Sequence, residues 1–287
     1  MARVFVAGSA VLDFVYRMES LPVGGEKFQA DGLDLVGGGC AANAAVAVQR
    51  LGGHAQLLAR FGQDEVCDLV CDDLRREGVD LTALELTPGR SAVSSVYVDA
   101  AGERQIMAFR GEGLCEVPKP CQFTADAVLA DTRWEEATLA AFARGRELGV
   151  PCVLDGEAPV SEAMMRAASH IVFSEQGLDD TYRNLEEAHR ALGVFVAVTR
   201  GANGVDWIDD APGHLDAHLV VVKDTLGAGD VWHGAFALML AEGRTTRDAM
   251  RFAQAAASLK CEGAGGRRAT PTRDQVIEFL KERDQWN

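Results

Sequence analysis

The sequence predicts a layered α/β/α domain with a mostly parallel sheet and a small β lid over one edge. Three observations predict it. Short β-branched runs alternate with longer amphipathic stretches along the 287 residues. These runs are apolar almost throughout, as is typical of parallel strands buried on both faces. Two further segments break the alternation. One domain can contain a chain of this length, so we expect a single domain over residues 1–287.

The predicted elements of the main domain are strands followed by helices. The strands are Val4–Gly8, Ala55–Phe61, Ala127–Ala130, Cys152–Leu154, Ile171–Phe173 and Phe195–Val198. The helices are Ala41–Leu51, Glu65–Glu77, Glu135–Leu148, Leu178–Leu192, Ala228–Glu242, Arg247–Cys261 and Arg273–Arg283. The strands carry continuous apolar residues and the helices carry a 3.6-residue period.

The predicted lid comes from the two segments outside the alternation, residues 14–36 and 91–110. The first contains a Pro- and Gly-rich turn and then alternating residues. The second reads as a hairpin, in which Ser91–Asp99 and Glu103–Phe109 flank a glycine turn. Both patterns favour antiparallel strands.

Composition excludes several function classes. The net charge of −15 argues against a nucleic-acid partner, which requires clustered basic residues. No apolar run reaches the roughly 18–20 residues that span a bilayer, and no secretory signal opens the chain. The cysteines are odd in number and match no zinc pattern, so we expect reduced thiols and a cytoplasmic location. They stand at positions 40, 67, 71, 115, 121, 152 and 261.

The stretch from Val220 to Asp230 carries the strongest chemical signal. Val220–Val222 reads as the end of an apolar strand, a turn with Gly227 and Gly229 follows, and Asp230 opens an Ala-rich helix. Backbone N–H groups at such a helix start attract anions. Asp230 beside them is a candidate general base for phosphoryl transfer. A plain helix cap explains the same aspartate equally well from spacing alone.

The residues Asp224–Asp230 read DTLGAGD, which resembles the DTxGAGD signature of the ribokinase (PfkB) family of carbohydrate kinases. Three other stretches resemble further motifs of that family in the same order. They are Gly37–Asn43, Arg60–Asp64 and Thr199–Gly204. The resemblance covers nearly the whole chain and implies a ribokinase-like fold, ATP as phosphoryl donor and a sugar as acceptor.

The resemblance also implies roles for individual residues. These are a base at Asp230 with an anion hole at Gly227, Ala228 and Gly229; sugar contacts at Asp13, Gly38, Gly39 and Asn43; and nucleotide contacts at Ser174, Thr199, Gly201, Gly204, Asp224, Gly227 and Gly229. In many relatives the lid pairs with the lid of a second subunit, so a homodimer is expected.

The expected metal site departs from the family pattern. The family places an N-x-x-E motif near Mg²⁺, whereas Ser174 and Gly177 stand at its two defining positions here. Glu175 is the remaining candidate ligand, although Mg²⁺ is often held mainly through water and phosphates. Backbone carbonyls after Asp224 and near Gly265 are candidate ligands for K⁺.

Two cations suggest an anionic acceptor. Arg133 follows the strand Ala127–Ala130, and Lys27 lies in the lid. The residues around Arg133, including Ala130–Trp134, resemble the sulfofructose kinases within the family, which phosphorylate 6-deoxy-6-sulfofructose. That resemblance implies that both cations bind a sulfonate. Both could instead be solvated surface charges.

Other substrates remain open. Ala108 stands where the sulfofructose kinases place an asparagine, and Arg110 nearby suits a sugar phosphate. Another anionic sugar, a neutral sugar, a nucleoside, or a sensor without turnover are the alternatives. His233, one turn after Asp230, either tunes the base or fills the core.

Overall fold

The computed structural model describes residues 1–120 and 122–283. Its strands are β1 (Arg3–Ala7), β2 (Val11–Arg17), β3 (Gly32–Gly38), β4 (His54–Leu58), β5 (Arg60–Gly62), β6 (Glu85–Thr87), β7 (Val93–Val98), β8 (Arg104–Phe109), β9 (Ala127–Ala130), β10 (Cys152–Gly156), β11 (His170–Ser174), β12 (Phe195–Thr199), β13 (Val205–Ile208) and β14 (Pro212–Leu215). Eight of them form the central sheet in the order β14-β13-β12-β11-β10-β9-β1-β4. Pairing is parallel from β4 to β12 and antiparallel at the β12–β13–β14 edge.

The helices are α1 (Cys40–Arg50), α2 (Glu65–Arg76), α3 (Glu135–Leu148), α4 (Glu162–Ala167), α5 (Glu175–Asp179), α6 (Leu185–Leu192), α7 (Ala228–Ala241), α8 (Thr246–Glu262) and α9 (Arg273–Lys281). Short 3₁₀ turns cover Gly201–Asn203 and Gly266–Ala269. In the part of the chain that the structure describes, no helix combines the length and apolarity required to cross a bilayer.

Two apolar clusters cover the two faces of the sheet. Side chains alternate along β1, so Val4 and Val6 join the cluster that contains α1, α7 and α8. Phe5 and Ala7 join the cluster that contains α3 on the opposite face. Helices therefore pack on both faces, and the predicted α/β/α layering is confirmed.

The lid is a separate four-stranded sheet in the order β3-β2-β7-β8. The β2–β3 and β7–β8 pairs are antiparallel, as predicted, but β2 and β7 pair in parallel and join the two hairpins. The sheet begins at Val11 and includes Gly38, so it is wider than the predicted segments and reaches the glycine-rich motif before α1.

Three predicted elements are wrong in detail. The strand Ala55–Phe61 is divided between β4 in the central sheet and β5, which pairs with β6. The helix Leu178–Leu192 is two helices, because the extended Asn184 caps α6 by accepting from Glu187 N at 2.9 Å. Val220–Val222 is an irregular segment, in which Val221 is 74% exposed.

The cysteines in the described part of the chain are free thiols. Cys121, counted in the sequence, lies outside the described residues. Cys67 and Cys71 face each other on α2 with their Sγ atoms 3.7 Å apart.

Candidate active site

Asp230 lies in the first turn of α7, where the sequence places a base. The helix begins after Gly227, whose φ of 79° is the left-handed conformation that glycine adopts without strain. Asn43, from α1, donates through Nδ2 to Asp230 Oδ2 at 2.7 Å. The other amide atom, Asn43 Oδ1, is buried without a partner among the described residues. It is an acceptor available to a substrate hydroxyl.

Of the backbone amides predicted to form the anion hole, one already has a protein acceptor. Ala228 N donates to Thr225 O at 3.1 Å, so this amide is already bonded. Among the described residues, the amides of Gly227, Gly229 and Asp230 donate to no protein acceptor. These three N–H groups stand beside the carboxylate at a helix N-terminus, where negative charge is stabilised.

The surroundings of Asp230 shift its pKa toward neutrality. Burial, reinforced by the negative charge of Asp155, raises the pKa of Asp230 to about 7. The Asn43 hydrogen bond and His233 act in the opposite direction. A carboxylate with a pKa near neutrality can accept the proton of a hydroxyl in the transition state.

Acidic side chains also stand at the ends of the neighbouring strands β9 and β10. Asp131, after β9, accepts from Ser9 N at 2.8 Å and from Ala41 N at 3.1 Å. It therefore ties together the end of β1, the start of α1 and the end of β9. Asp155, at the end of β10, is buried, and burial raises its pKa well above the ordinary value. Sequence reasoning missed both aspartates.

His233, in the second turn of α7, contacts the first turn of the same helix. Its Nδ1 lies 2.8 Å from Gly229 O and 3.6 Å from Asp155 Oδ2. Its Nε2 lies 3.3 Å from Val172 O, and burial lowers its pKa. These contacts place His233 in the core between α7 and β11. They favour the interpretation that His233 fills the core.

The predicted sugar-binding residues of the lid and the glycine-rich motif meet at the same edge. Asp13, on β2, is buried and accepts from Ser94 Oγ. Burial raises its pKa. An added Cβ at Gly38 would lie 2.0 Å from Asp13 Oδ2, and one at Gly39 would lie 2.6 Å from Ser9 O. Both glycines are therefore required for this close approach.

The three predicted cations differ in their surroundings. Arg133 forms an ion pair with Glu157 at 2.5 Å and donates to Ala158 O at 3.1 Å. Lys27 lies exposed between β2 and β3, and Arg110 lies exposed after β8. Within residues 1–120 and 122–283, neither of these two forms a hydrogen bond or an ion pair. Arg133 thus lies near the acidic residues at the carboxyl end of the central sheet. Lys27 and Arg110 lie on the lid, away from an ion-pair partner among the described residues.

A cavity of about 320 Å³ lies between the turn after β12, the start of α7 and α8. It brings together the predicted nucleotide residues Thr199, Gly201, Gly204 and Gly229. The remaining walls come from the 3₁₀ turn after β12, the segment after β14, and α7 and α8, namely Ala202, Ala217, His218, Leu219, Val220, Val222, Thr225, Ala228, Trp232, Gln254, Ala257, Ser258 and Cys261. This size and apolar lining suit a nucleobase.

Three other predicted residues contact neighbouring parts of the protein. Ser174 caps α5 by accepting from Gly177 N at 3.0 Å, next to Thr199 on β12. The Asp224 carboxylate accepts from Leu226 N at 2.8 Å and from Gly266 N at 3.1 Å, and so holds the turn before α7. Glu175 forms an ion pair with Arg200 at 2.7 Å.

Arg104 and Lys260 make contacts near the turn before α7 that the sequence did not predict. Arg104, at the start of β8 in the lid, donates to Thr225 Oγ1 in the turn before α7. It lines a second cavity of about 310 Å³ between the lid and that turn. Lys260 is fully buried and donates to Asp224 O at 2.9 Å. A lysine among the small and apolar residues near the end of α8 is the sequence feature that could have indicated a buried, paired charge.

Comparison with known proteins agrees with this geometry. The model of the pfkB family carbohydrate kinases matches residues 1–273. The ribokinase of Bacillus subtilis (strain 168) is 27% identical, covering 98% of this chain and 100% of its own. An ATP-dependent ribose-1-phosphate kinase of Halopiger xanaduensis is 29% identical and covers 99% of both chains. A candidate ribokinase solved from Agrobacterium tumefaciens is 36% identical, with a TM-score of 0.93 over 100% of this chain and 99% of its own.

Proposed function

This chain belongs to the pfkB family of carbohydrate kinases and is an ATP-dependent sugar kinase, and from that premise we propose that its acceptor is an anionic ketose such as 6-deoxy-6-sulfofructose. The observation that carries the catalytic part is the Asn43–Asp230 pair beside the amides of Gly227 and Gly229. A proton acceptor, the Asp230 carboxylate, and donors for an oxyanion, the backbone amides, then lie together at the first turn of α7.

The chemistry follows from these positions. Asn43 and Asp13 orient the acceptor, and Asp230 removes the proton from the attacking hydroxyl. The amides of Gly227 and Gly229 bind the charge that develops on the transferred phosphoryl group. The lid excludes water, which would otherwise compete as acceptor.

The residues near the phosphates fit Mg²⁺ held mainly through water. The Glu175 side chain is 56% exposed beside the start of α5, so its carboxylate is accessible even while it pairs with Arg200. Bound Mg²⁺ would neutralise phosphate charge. The carbonyls after Asp224 and near Gly265 are the corresponding candidates for K⁺.

An anionic acceptor is supported by the cations at the rim of the cleft. Arg133 stands at the carboxyl edge of the sheet, where ligands of α/β proteins bind, and its side chain is 25% exposed. Glu157 neutralises it and is itself 46% exposed. A sulfonate or phosphate would take the place of Glu157 on Arg133, with Lys27 or Arg110 completing the contact from the lid.

A neutral sugar or nucleoside is the second candidate, and the Arg133–Glu157 ion pair favours it. If this pair persists in the complex, Arg133 has no free charge for the acceptor. Kinetics with sulfofructose, fructose 6-phosphate and fructose side by side will distinguish the two. We expect the highest kcat/KM for an anionic ketose, and a preference for fructose would contradict that.

The catalytic assignment is tested by ADP formation across this panel, with Asp230→Asn as the control. We expect kcat to fall roughly 10³-fold while ADP affinity is retained, because the interaction is made in the transition state. A sensor without turnover would instead show thermal shifts with ligands and no ADP. Retained turnover in Asp230→Asn would remove Asp230 from the role of base.

A homodimer through the lid is part of the proposal. β8 is an edge strand of the lid sheet, and its side chains Ile106 and Met107 are 57% and 68% exposed. On β3 at the other edge, Leu33 is 51% exposed. Unpaired strand edges with exposed apolar residues are surfaces that pair with another chain.

A further inference from the structure

A thiol and two carboxylates meet at the carboxyl edge of the sheet. Cys40 begins α1, Asp155 ends β10, and Asp230 lies in the first turn of α7. One ligand atom from each, the Cys40 Sγ and a carboxylate oxygen of each aspartate, lies within 4.8 Å of the others. The three residues are far apart in the chain, so the tertiary fold brings them together.

Asp155 has no hydrogen-bond partner in this position. It is 7% exposed, and within the described residues its carboxylate accepts no hydrogen bond. The nearest basic atom is His233 Nδ1 at 3.6 Å, which lies closer, at 2.8 Å, to Gly229 O. Arg133 directs its guanidinium to Glu157 and Ala158. Buried carboxylates are normally hydrogen-bonded or paired, so this one is available to a cation.

We propose that Cys40, Asp155 and Asp230 form a binding site for a thiophilic divalent cation such as Zn²⁺, which inhibits the kinase by occupying its base. Zn²⁺ binds thiolate and carboxylate ligands tetrahedrally, with neighbouring ligand atoms roughly 3.3–3.8 Å apart. In the proposed complex the three ligand atoms, which lie within 4.8 Å of one another, move to that spacing, and water supplies the fourth ligand.

The thiol makes the site selective. Mg²⁺ prefers oxygen ligands in octahedral geometry, whereas a thiolate favours Zn²⁺ and Co²⁺. Cys40 Sγ now donates to Glu157 Oε2 at 3.5 Å. On metal binding a sulfur–metal bond replaces the sulfur–hydrogen bond, and the proton leaves through this carboxylate to solvent. Metal binding itself does not depend on the kinase assignment, whereas inhibition rests on the proposed role of Asp230.

Titration of the metal-free protein with Co²⁺, without nucleotide, tests the binding. We expect a thiolate-to-cobalt charge-transfer band that saturates at one equivalent and disappears on addition of Zn²⁺. Cys40→Ala should lose the band. Cys115→Ala is the matched control, since this thiol is also half-buried and its Sγ contacts Val117 O at 3.5 Å. It should keep the band.

Asp155→Asn supplies an independent measurement if Cys40→Ala does not fold. It keeps every thiol, and we expect at least tenfold weaker Co²⁺ binding because one ligand is lost. The absence of a band in the wild type, an undiminished band in folded Cys40→Ala, or unchanged affinity in Asp155→Asn would each overturn the site.

Inhibition is tested with buffered free Zn²⁺ under excess Mg²⁺, each variant being compared with its own uninhibited rate. We expect Cys40→Ala to need at least tenfold more Zn²⁺ than the wild type or Cys115→Ala for the same fractional inhibition. Equal sensitivity in all three would refute inhibition at this site. If no acceptor supports turnover, the proposed function fails while the Co²⁺ titration still decides the metal site.

Discussion

Among single residues, Asp230 has the most consequential environment, because a general base, the role proposed for it, must be ionised when the acceptor hydroxyl binds. With the pKa of Asp230 raised to about 7, the ionised fraction falls as the pH drops below neutrality. We therefore expect kcat/KM for the sugar to decline on the acidic side with an apparent pKa near 7. A pH profile of kcat/KM, measured at sugar concentrations well below KM, tests this.

Asp155→Asn gives the matched comparison for that profile. The negative charge of Asp155 raises the pKa of Asp230, so its removal lowers that pKa and keeps the base ionised in more acid solution. The acidic limb should move to lower pH. A limb that stays in place would show that Asp155 does not act on the base.

Arg133 and Lys27 are tested by their effect on one substrate and not the other. If they bind the anionic group of the sugar, alanine at either position removes a charge-assisted hydrogen bond worth about 1.5–3 kcal/mol. KM for the anionic sugar should rise roughly 10–100-fold, and KM for ATP should change little. Steady-state kinetics with each substrate varied measures both.

The control for these variants is Arg166→Ala, which removes an exposed arginine paired with Glu162 on α4. It should leave both KM values unchanged. Equal changes for sugar and ATP in Arg133→Ala or Lys27→Ala, or none at all, would return the two cations to surface roles.

Among the secondary-structure elements, those with strong local signals are the ones that sequence predicts well. Ala127–Ala130 and Glu135–Leu148 have the same bounds in prediction and structure. The prediction of one helix over Leu178–Leu192 is wrong because Asn184 adopts an extended conformation and caps a new helix. The antiparallel edge strands β13 and β14 were missed. Hydrogen bonding across the sheet edge forms these strands, and a local pattern does not report it.

The exposed edge strand β8 leads to a prediction about assembly. A charge introduced at Ile106, on the exposed lid, would oppose burial of this strand against a second lid. We expect Ile106→Lys to shift a dimer to monomer in size-exclusion chromatography with light scattering.

Val117→Lys is the control for that variant, since Val117 is 73% exposed and lies outside the lid strands. It should keep the wild-type mass. A wild-type monomer, or an Ile106→Lys dimer of unchanged stability, would contradict assembly through the lid.

In the molecule as a whole, the site is assembled from segments that the sequence keeps far apart. The DTLGAGD and glycine-rich motifs predict the positions of Asp230 and Asn43, because each motif has a local backbone geometry. Asp155 carries no motif of its own that indicates its approach to Asp230. That approach depends on the order of strands in the sheet, which brings the end of β10 under the first turn of α7.

The hydrogen bond from Arg104 to Thr225 connects the lid to the turn before Asp230. Thr225 also lines the cavity beside α7, the proposed site of the nucleotide, and Arg104 lines the adjoining lid cavity, so in this proposal the Arg104 guanidinium contacts the phosphates. We expect Arg104→Ala to raise KM for ATP roughly tenfold or more, because a charge-assisted contact to phosphate is lost. The KM for the sugar should change less.

Arg17→Ala is the matched control, because Arg17 lines the same lid cavity but is held by Asp34 at 2.7 Å. With its charge already paired, its loss should leave KM for ATP near the wild-type value. Steady-state kinetics and ADP titration calorimetry of both variants measure the difference. If Arg104→Ala and Arg17→Ala raise KM for ATP equally, the lid arginines act through their positive charge alone. A specific contact of Arg104 with the phosphates is then refuted.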